Sequence, residues 1–111
     1  SQLSQTHPLT LGAVTAYSAA YYTDVTKFVI ANCHSATAIY SLFHNDNGTD
    51  YSRGNALQYE TEIGPNRTVE KSTTANDGGG YGVKVGGTIG FQSNGTAYFT
   101  LTIYGNTQMA R

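Results

Sequence analysis

The sequence predicts an all-β fold: a single antiparallel β-sandwich of seven to eight short strands with almost no helix. Three observations carry this. Forty of the 111 residues are Thr, Tyr, Val, Ile or Phe, the types that sit best on a pleated, half-buried surface. Only three Glu and three Lys stand against 13 Gly, too few straight-chain charged residues to clothe helices, and no apolar heptad runs anywhere. Segments of alternating hydrophobicity are separated by Gly, Asn, Asp and Pro at roughly 8–12-residue spacing, the rhythm of a sandwich or barrel. At this length the chain makes one domain.

The first 12 residues carry no charge and no helical period, and Pro8 holds His7 extended. They read as an extended arm (residues 1–12) ahead of a sandwich domain (residues 13–111), with a first strand over 9–17. Leu3, Leu9 and Leu11 are poorly placed in water on an uncharged arm, which makes them candidate protein contacts. Leu9 and Leu11 share one side of a strand and can extend a neighbour's sheet edge. A weak turn at Ser18-Ala19-Ala20 leads to Tyr21 and Tyr22, further contact candidates because their rings are apolar with polar tips.

Residues 24–32 alternate, with Phe28 and Ile30 on one face and Val25, Lys27, Val29 and Ala31 on the other. Cys33-His34-Ser35 connects to a strand over 36–44. Asn45-Asp46-Asn47-Gly48-Thr49-Asp50 is the strongest turn signal, because Asn-Gly accepts positive φ at little cost and closes hairpins. A strand over 55–63 follows, with Leu57 and Tyr59 on one face. Beyond the Gly64-Pro65-Asn66 turn comes a polar strand over 67–73. The Asp77-Gly78-Gly79-Gly80 loop leads to strands over 81–85 and 88–93. After Asn94-Gly95, the last strand over 96–104 sets Phe99, Leu101 and Ile103 against Tyr98, Thr100, Thr102 and Tyr104. These faces assign Phe28, Ile30, Leu42, Leu57, Ile89, Phe91, Leu101 and Ile103 to the core.

Composition excludes several function classes. A net charge of −1 from 13 charged residues gives no basic stripe for nucleic acid. No apolar run approaches the ~20 residues that span a bilayer. No basic n-region precedes an apolar h-region within these residues, so they include no signal-peptide pattern. Neither nucleic acid nor membrane is expected as a partner. The single cysteine excludes an intramolecular disulfide. On a strand Cys33 and His34 point to opposite faces and do not pair for nucleophilic catalysis, so Cys33 reads as a small buried packing residue. His7, His34 and His44 lack metal-ligand spacing. Glu60 and Glu62 share a strand face, but read as a solvated edge rather than a hydrolytic carboxylate pair. The loop over 46–50 lacks calcium-ligand spacing, and no helix follows the glycines at 78–82 to make a phosphate loop. The triplets starting at Asn47, Asn66 and Asn94 match the glycosylation pattern, but turn chemistry accounts for them. No catalytic residue, cofactor or metal is expected. Nine tyrosines leave two kinds of binding role, protein contact and sugar stacking.

One ordering goes further. Thr26-Lys27-Phe28-Val29-Ile30-Ala31-Asn32 is an apolar strand closed by Asn. Ser35-Ala36-Thr37-Ala38 and the strand ending at Phe43 follow. Then come Asn55-Ala56-Leu57-Gln58-Tyr59, Ile63-Gly64-Pro65-Asn66-Arg67-Thr68, and Gly82-Val83-Lys84-Val85-Gly86-Gly87-Thr88-Ile89. Ala97-Tyr98-Phe99-Thr100-Leu101-Thr102-Ile103-Tyr104-Gly105 closes the series. Over residues 13–105 this resembles the small all-β virion proteins of tailed bacteriophages, including jelly-roll-like capsid cement (decoration) proteins. Gly87 stands where that pattern commonly has Asp, and the glycines at 78–80 are an insertion. The resemblance implies a jelly-roll-like sandwich without catalytic residues, made in the host cytoplasm and carried on the capsid surface of the virion. There it would stabilise contacts between major capsid protein subunits. The implied partners are the major capsid protein and further copies of the chain, as a homotrimer. A phage tail or fibre component, or a carbohydrate-binding or adhesin sandwich, is the alternative.

Overall fold

A computed structural model of the chain describes residues 2–9, 11–72, 81–95 and 98–108. Among them lie β1 (Gln2–Thr6), β2 (Val14–Ser18), β3 (Tyr22–Asn32), β4 (Ala38–Asn45), β5 (Ala56–Ile63), β6 (Thr68–Ser72), β7 (Tyr81–Val83), β8 (Thr88–Ser93) and β9 (Phe99–Gln108). One short 3-10 turn, Arg53–Asn55, precedes β5. The expected loop at Asp77-Gly78-Gly79-Gly80 falls outside the described residues.

One sheet runs β1-β9-β3-β6, with β7 also paired on β3; the other runs β2-β8-β4-β5. Every pairing is antiparallel. Set β7 aside and the logic is one long hairpin rolled up: β1 pairs β9, β2 pairs β8, β3 pairs β6 and β4 pairs β5. The β3–β9 and β4–β8 pairings then stitch these hairpin layers into two four-stranded sheets. This is the double-sheet jelly roll. The connections β1–β2, β3–β4, β5–β6 and β8–β9 gather at one end of the sandwich, here the near end, and β2–β3, β4–β5 and β7–β8 at the far end.

Between the sheets lies a core of Val25, Phe28, Ile30, Tyr40, Leu42, Val83, Ile89, Phe91, Phe99, Leu101 and Ile103. At its centre Phe91 meets Phe99 edge-on, with ring centroids 5.6 Å apart, and stacks on Tyr40 at 5.7 Å. Such contacts stabilise beyond the area they bury. Tyr40 is the polar member. Burial pushes its hydroxyl up to about 12, and it donates a hydrogen bond to the Gln58 side chain. Seven of the eight expected core residues are buried; Leu57, 39% exposed, is not.

Bulges account for this and for the second departure. In β5, Tyr59 and Glu60 stand together opposite Ser41, because Tyr40 faces Thr61 while Leu42 faces Gln58. Leu57 and Ile63 would share a face in a regular strand. The extra residue puts Ile63 in the core and Leu57 outside. In β3, Thr26 is the extra residue opposite the step from Gly105 to Tyr104. Val25, expected opposite Phe28, therefore turns inward with it and is fully buried. Gly105 makes the bulge feasible: a Cβ there would lie 2.1 Å from the Asp24 carbonyl oxygen.

The expected arm is a correction as well. Gln2–Thr6 is an edge strand on β9, not a free extension, and the first strand of the other sheet begins only at Val14. Leu3 is the bulged residue of β1, and its side chain packs on the core. Beyond β1 the chain crosses to the other sheet, and there Leu9 and Leu11 are exposed while Pro8 is buried. The Asn47-Gly48 signal does turn the chain, with Gly48 at φ 116°. It opens a ten-residue loop, 46–55, instead of a tight hairpin. That loop folds back because Tyr51 stacks on Phe43 and lies across Gly90, where any side chain would collide with its ring. The Tyr51 hydroxyl donates to Thr88 Oγ1 at 2.9 Å and lies 2.8 Å from Thr15 Oγ1.

Candidate functional site

Two kinds of surface carry side chains not consumed by the fold. The first is the set of exposed apolar groups. Leu9 (67% exposed) and Leu11 (58%) project from the β1–β2 connection at the near end. They lie in a crossing loop, not in a strand, so their expected shared strand side does not exist. Tyr21 and Tyr22 are exposed at the far end, beside Val85. The β2–β3 and β7–β8 connections are locked together there, since Ala19 N–H donates to the Gly87 carbonyl and Gly86 N–H to the Ala19 carbonyl, both at 3.0 Å. Of the five contact candidates, Leu3 is withdrawn into the core's margin. The remaining four divide between opposite ends.

The second surface is a groove on the outer face of the β2-β8-β4-β5 sheet. The Tyr51 loop covers the half of this face toward the far end. The uncovered half holds a depression of about 140 Å³ lined by Ile39, Tyr40, Ser41, Tyr59, Glu60, Gln92, Ser93 and Asn94. Ile39 and Ser41 form the floor on β4, Tyr59 and Glu60 one wall on β5, and Gln92 and Asn94 the other wall at the end of β8. Glu60 takes φ 48°, a left-handed conformation unfavourable for a residue with a side chain. Its N–H donates to Ser41 Oγ at 2.9 Å, which anchors the bulge. The Arg53 guanidinium lies 5.3 Å from the centre of the Tyr59 ring. Asn94 clasps β4: its Oδ1 accepts the Ile39 N–H at 3.0 Å, and its own N–H donates to the Ile39 carbonyl at 3.0 Å.

Of the residues weighed for catalysis, His7 and Cys33 are brought to one side chain: Thr100 Oγ1 lies 3.2 Å from His7 Nδ1 and 3.8 Å from Cys33 Sγ. Cys33 is exposed, not buried as expected: Asn32 ends β3 pointing inward, so the next side chain points out. The neighbouring His34 ring stacks on Tyr98 at 3.8 Å. Both residues lie beyond the end of β3, beside Thr100 and Tyr98 on the same side of the last strand, so the expected divergence to opposite strand faces does not apply to them. His7 Nδ1 lies 2.8 Å from the Phe99 carbonyl oxygen, close enough to donate to it. His44 is on the far side of the molecule, 3.1 Å from Asp46. Among the described residues no group of three or more His, Cys, Asp or Glu side chains is placed to hold a metal ion. Glu60 and Glu62 are both exposed.

The groove escaped the sequence reading. Leu57, Tyr59 and Ile63 sit at even spacing in an unbroken alternation, and only the bulge at Glu60 turns Ile63 to the face opposite the other two. No protein-family model, curated protein or solved structure matches the chain.

Proposed function

We propose that this chain is a structural protein of a tailed-phage virion, a passive fastener carried on the capsid surface that joins neighbouring major capsid subunits. A jelly roll by itself carries no function. What supports the reading is the presence of exposed apolar side chains at both ends, Leu9 and Leu11 at one and Tyr21, Tyr22 and Val85 at the other, with Leu57 and Tyr59 on β5 between them. A module that bridges two neighbours needs a sticky patch at each end, whereas a module that docks on one partner needs only one. The charge-poor surface fits packed contact, since a net charge of −1 gives little repulsion between copies. The homotrimer expected from the resemblance belongs to the same proposal. Fastening works by mass action: binding to the assembled shell and not to the opened one stabilises the shell.

The test is a particle stripped of this protein. It should burst at lower temperature, and re-adding the protein should restore the threshold. The L9S/L11S and Y22S/V85S variants should each fail to restore it, because each removes one of the two patches. A stripped particle that is equally robust but no longer attaches to its host would make the protein a tail or fibre component. Sedimentation of the isolated protein decides the threefold state.

A further inference from the structure

We infer that the groove between Tyr59–Glu60 and Gln92–Asn94 is a binding subsite for a single pyranose ring, such as the terminal residue of a glycan. This goes beyond the fastening role and does not depend on it.

The inference starts from the backbone. Residues with side chains seldom adopt positive φ, and where they do the surrounding structure must hold them there; such outliers concentrate at binding sites. Glu60 is such a residue, and Ser41 Oγ holds it. The consequence is specific. In a regular strand Tyr59 and Glu60 would point to opposite faces. The bulge turns both outward, so an aromatic ring and a carboxylate stand side by side on one wall. Bulges beside sites re-aim side chains in this manner.

The chemistry of the lining then selects the ligand. A pyranose presents an apolar C–H face and a rim of hydroxyls that both donate and accept. Tyr59 offers a flat ring for the C–H face, and Arg53 steadies that ring. Glu60 offers a charged acceptor, whose hydrogen bonds are the strong ones. Gln92 offers an amide that both donates and accepts. Asn94 has its oxygen engaged by the Ile39 N–H, which turns its amide nitrogen into the donor at the groove. A phosphate or other anion would meet the Glu60 carboxylate. A divalent cation would find one carboxylate where a protein site needs several oxygen ligands. The volume, about 140 Å³, is well below the roughly 300–1,000 Å³ of sites for drug-sized molecules, so it accommodates one ring and not a chain. Affinity for one ring is then weak, and firm attachment requires several copies acting together.

The experiment titrates the full-length, 15N-labelled protein with methyl α-glucopyranoside, methyl β-galactopyranoside and methyl N-acetyl-β-glucosaminide, read by amide chemical shifts. At least one should give saturable shifts confined to residues 39–41, 59–60 and 92–94, with a dissociation constant on the order of millimolar. Glu60→Gly separates binding from folding. Glycine keeps the positive-φ backbone without strain and deletes the carboxylate. The variant should melt at higher temperature than the parent and bind at least about tenfold more weakly, a loss of about 1.4 kcal/mol. Tyr59→Ala should lose binding to a similar extent. No saturable shift with any of the three sugars, shifts centred elsewhere, or undiminished binding by both variants would overturn the assignment. Because the readout is on the isolated protein, its failure leaves the fastening role standing, and the reverse holds for the stripped-particle test.

Discussion

Asn32 shows how much one side chain can decide. It is 2% exposed, and its Nδ2 shares its two hydrogens among the carbonyls of Ala36, Ile63 and Gly64 at 2.9–3.0 Å while Oδ1 accepts the His34 N–H at 2.9 Å. One amide thereby ties the end of β3 to two connections that have no ladder of their own. Asn32→Asp replaces a donor facing three carbonyls with a buried acceptor. We expect a loss of about 2–4 kcal/mol in urea unfolding at neutral pH, well beyond the cost of removing a single hydrogen bond. A second residue-scale expectation concerns pH. Burial lowers the affinity of His44 for a proton below the ordinary 6.5, against the opposing pull of Asp46. As pH falls the unfolded chain takes up that proton before the folded one does. The His44 contribution is therefore fully present above about 6.5 and is lost as pH falls from there toward the lowered folded-state value. Urea midpoints at about pH 7.5 and about pH 5 should show a larger drop for the parent than for His44→Gln.

At the scale of elements, bulges do most of the shaping. The β3 bulge keeps Val25 in the core alongside Phe28, and it works only because β9 presents Gly105 at the point of closest approach. Gly105→Ala would push a methyl group into the Asp24 carbonyl and within 2.9 Å of Val25 Cα, and backbone cannot rotate out of the way as a side chain can. We expect a loss of about 2–4 kcal/mol, measured against Gly54→Ala as a near-neutral control at an open glycine. The edge strand β1 carries the next expectation. It covers one side of β9 and brings Leu3 onto the core. A chain lacking residues 1–6 should unfold at a lower urea concentration and aggregate more readily, since β9 becomes an unprotected edge. A truncated chain with unchanged midpoint and solubility would show β1 to be a dispensable appendage.

For the whole molecule, the jelly-roll wind explains why the apolar contact candidates divide between ends. Connections alternate between the two ends of the sandwich, so Leu9 and Leu11, before β2, emerge at one end and Tyr21 and Tyr22, after it, at the other. Stability and association should therefore separate by mutation. Leu9→Ser with Leu11→Ser should leave the urea midpoint within about 0.5 kcal/mol of the parent, as expected for surface positions, while reducing self-association in sedimentation. Leu3→Ser should do the opposite, lowering the midpoint without a specific effect on association. Equal stability loss for both would mean that Leu9 and Leu11 belong to the fold and not to its contacts.

What the sequence determined by itself is what short range controls. β-branched and aromatic enrichment, glycine and asparagine punctuation, and period-two alternation give eight of the nine strands close to their places. They also give seven core residues, including the aromatic centre at Phe91. The ninth strand, β1, was hidden because its five polar-rich residues show no alternation; only pairing with β9 makes them a strand. What tertiary structure decided is the phase of each strand beyond its bulges. Nothing in the local order of Val25-Thr26-Lys27 or Tyr59-Glu60-Thr61 marks the extra residue. A bulge is fixed by register against a partner strand distant in sequence, by Gly105 in one case and Ser41 in the other. One such residue inverts every face that follows it. That is why Leu57 left the core, why Val25 entered it, and why the groove at Glu60 exists in the folded chain without a trace in its alternation.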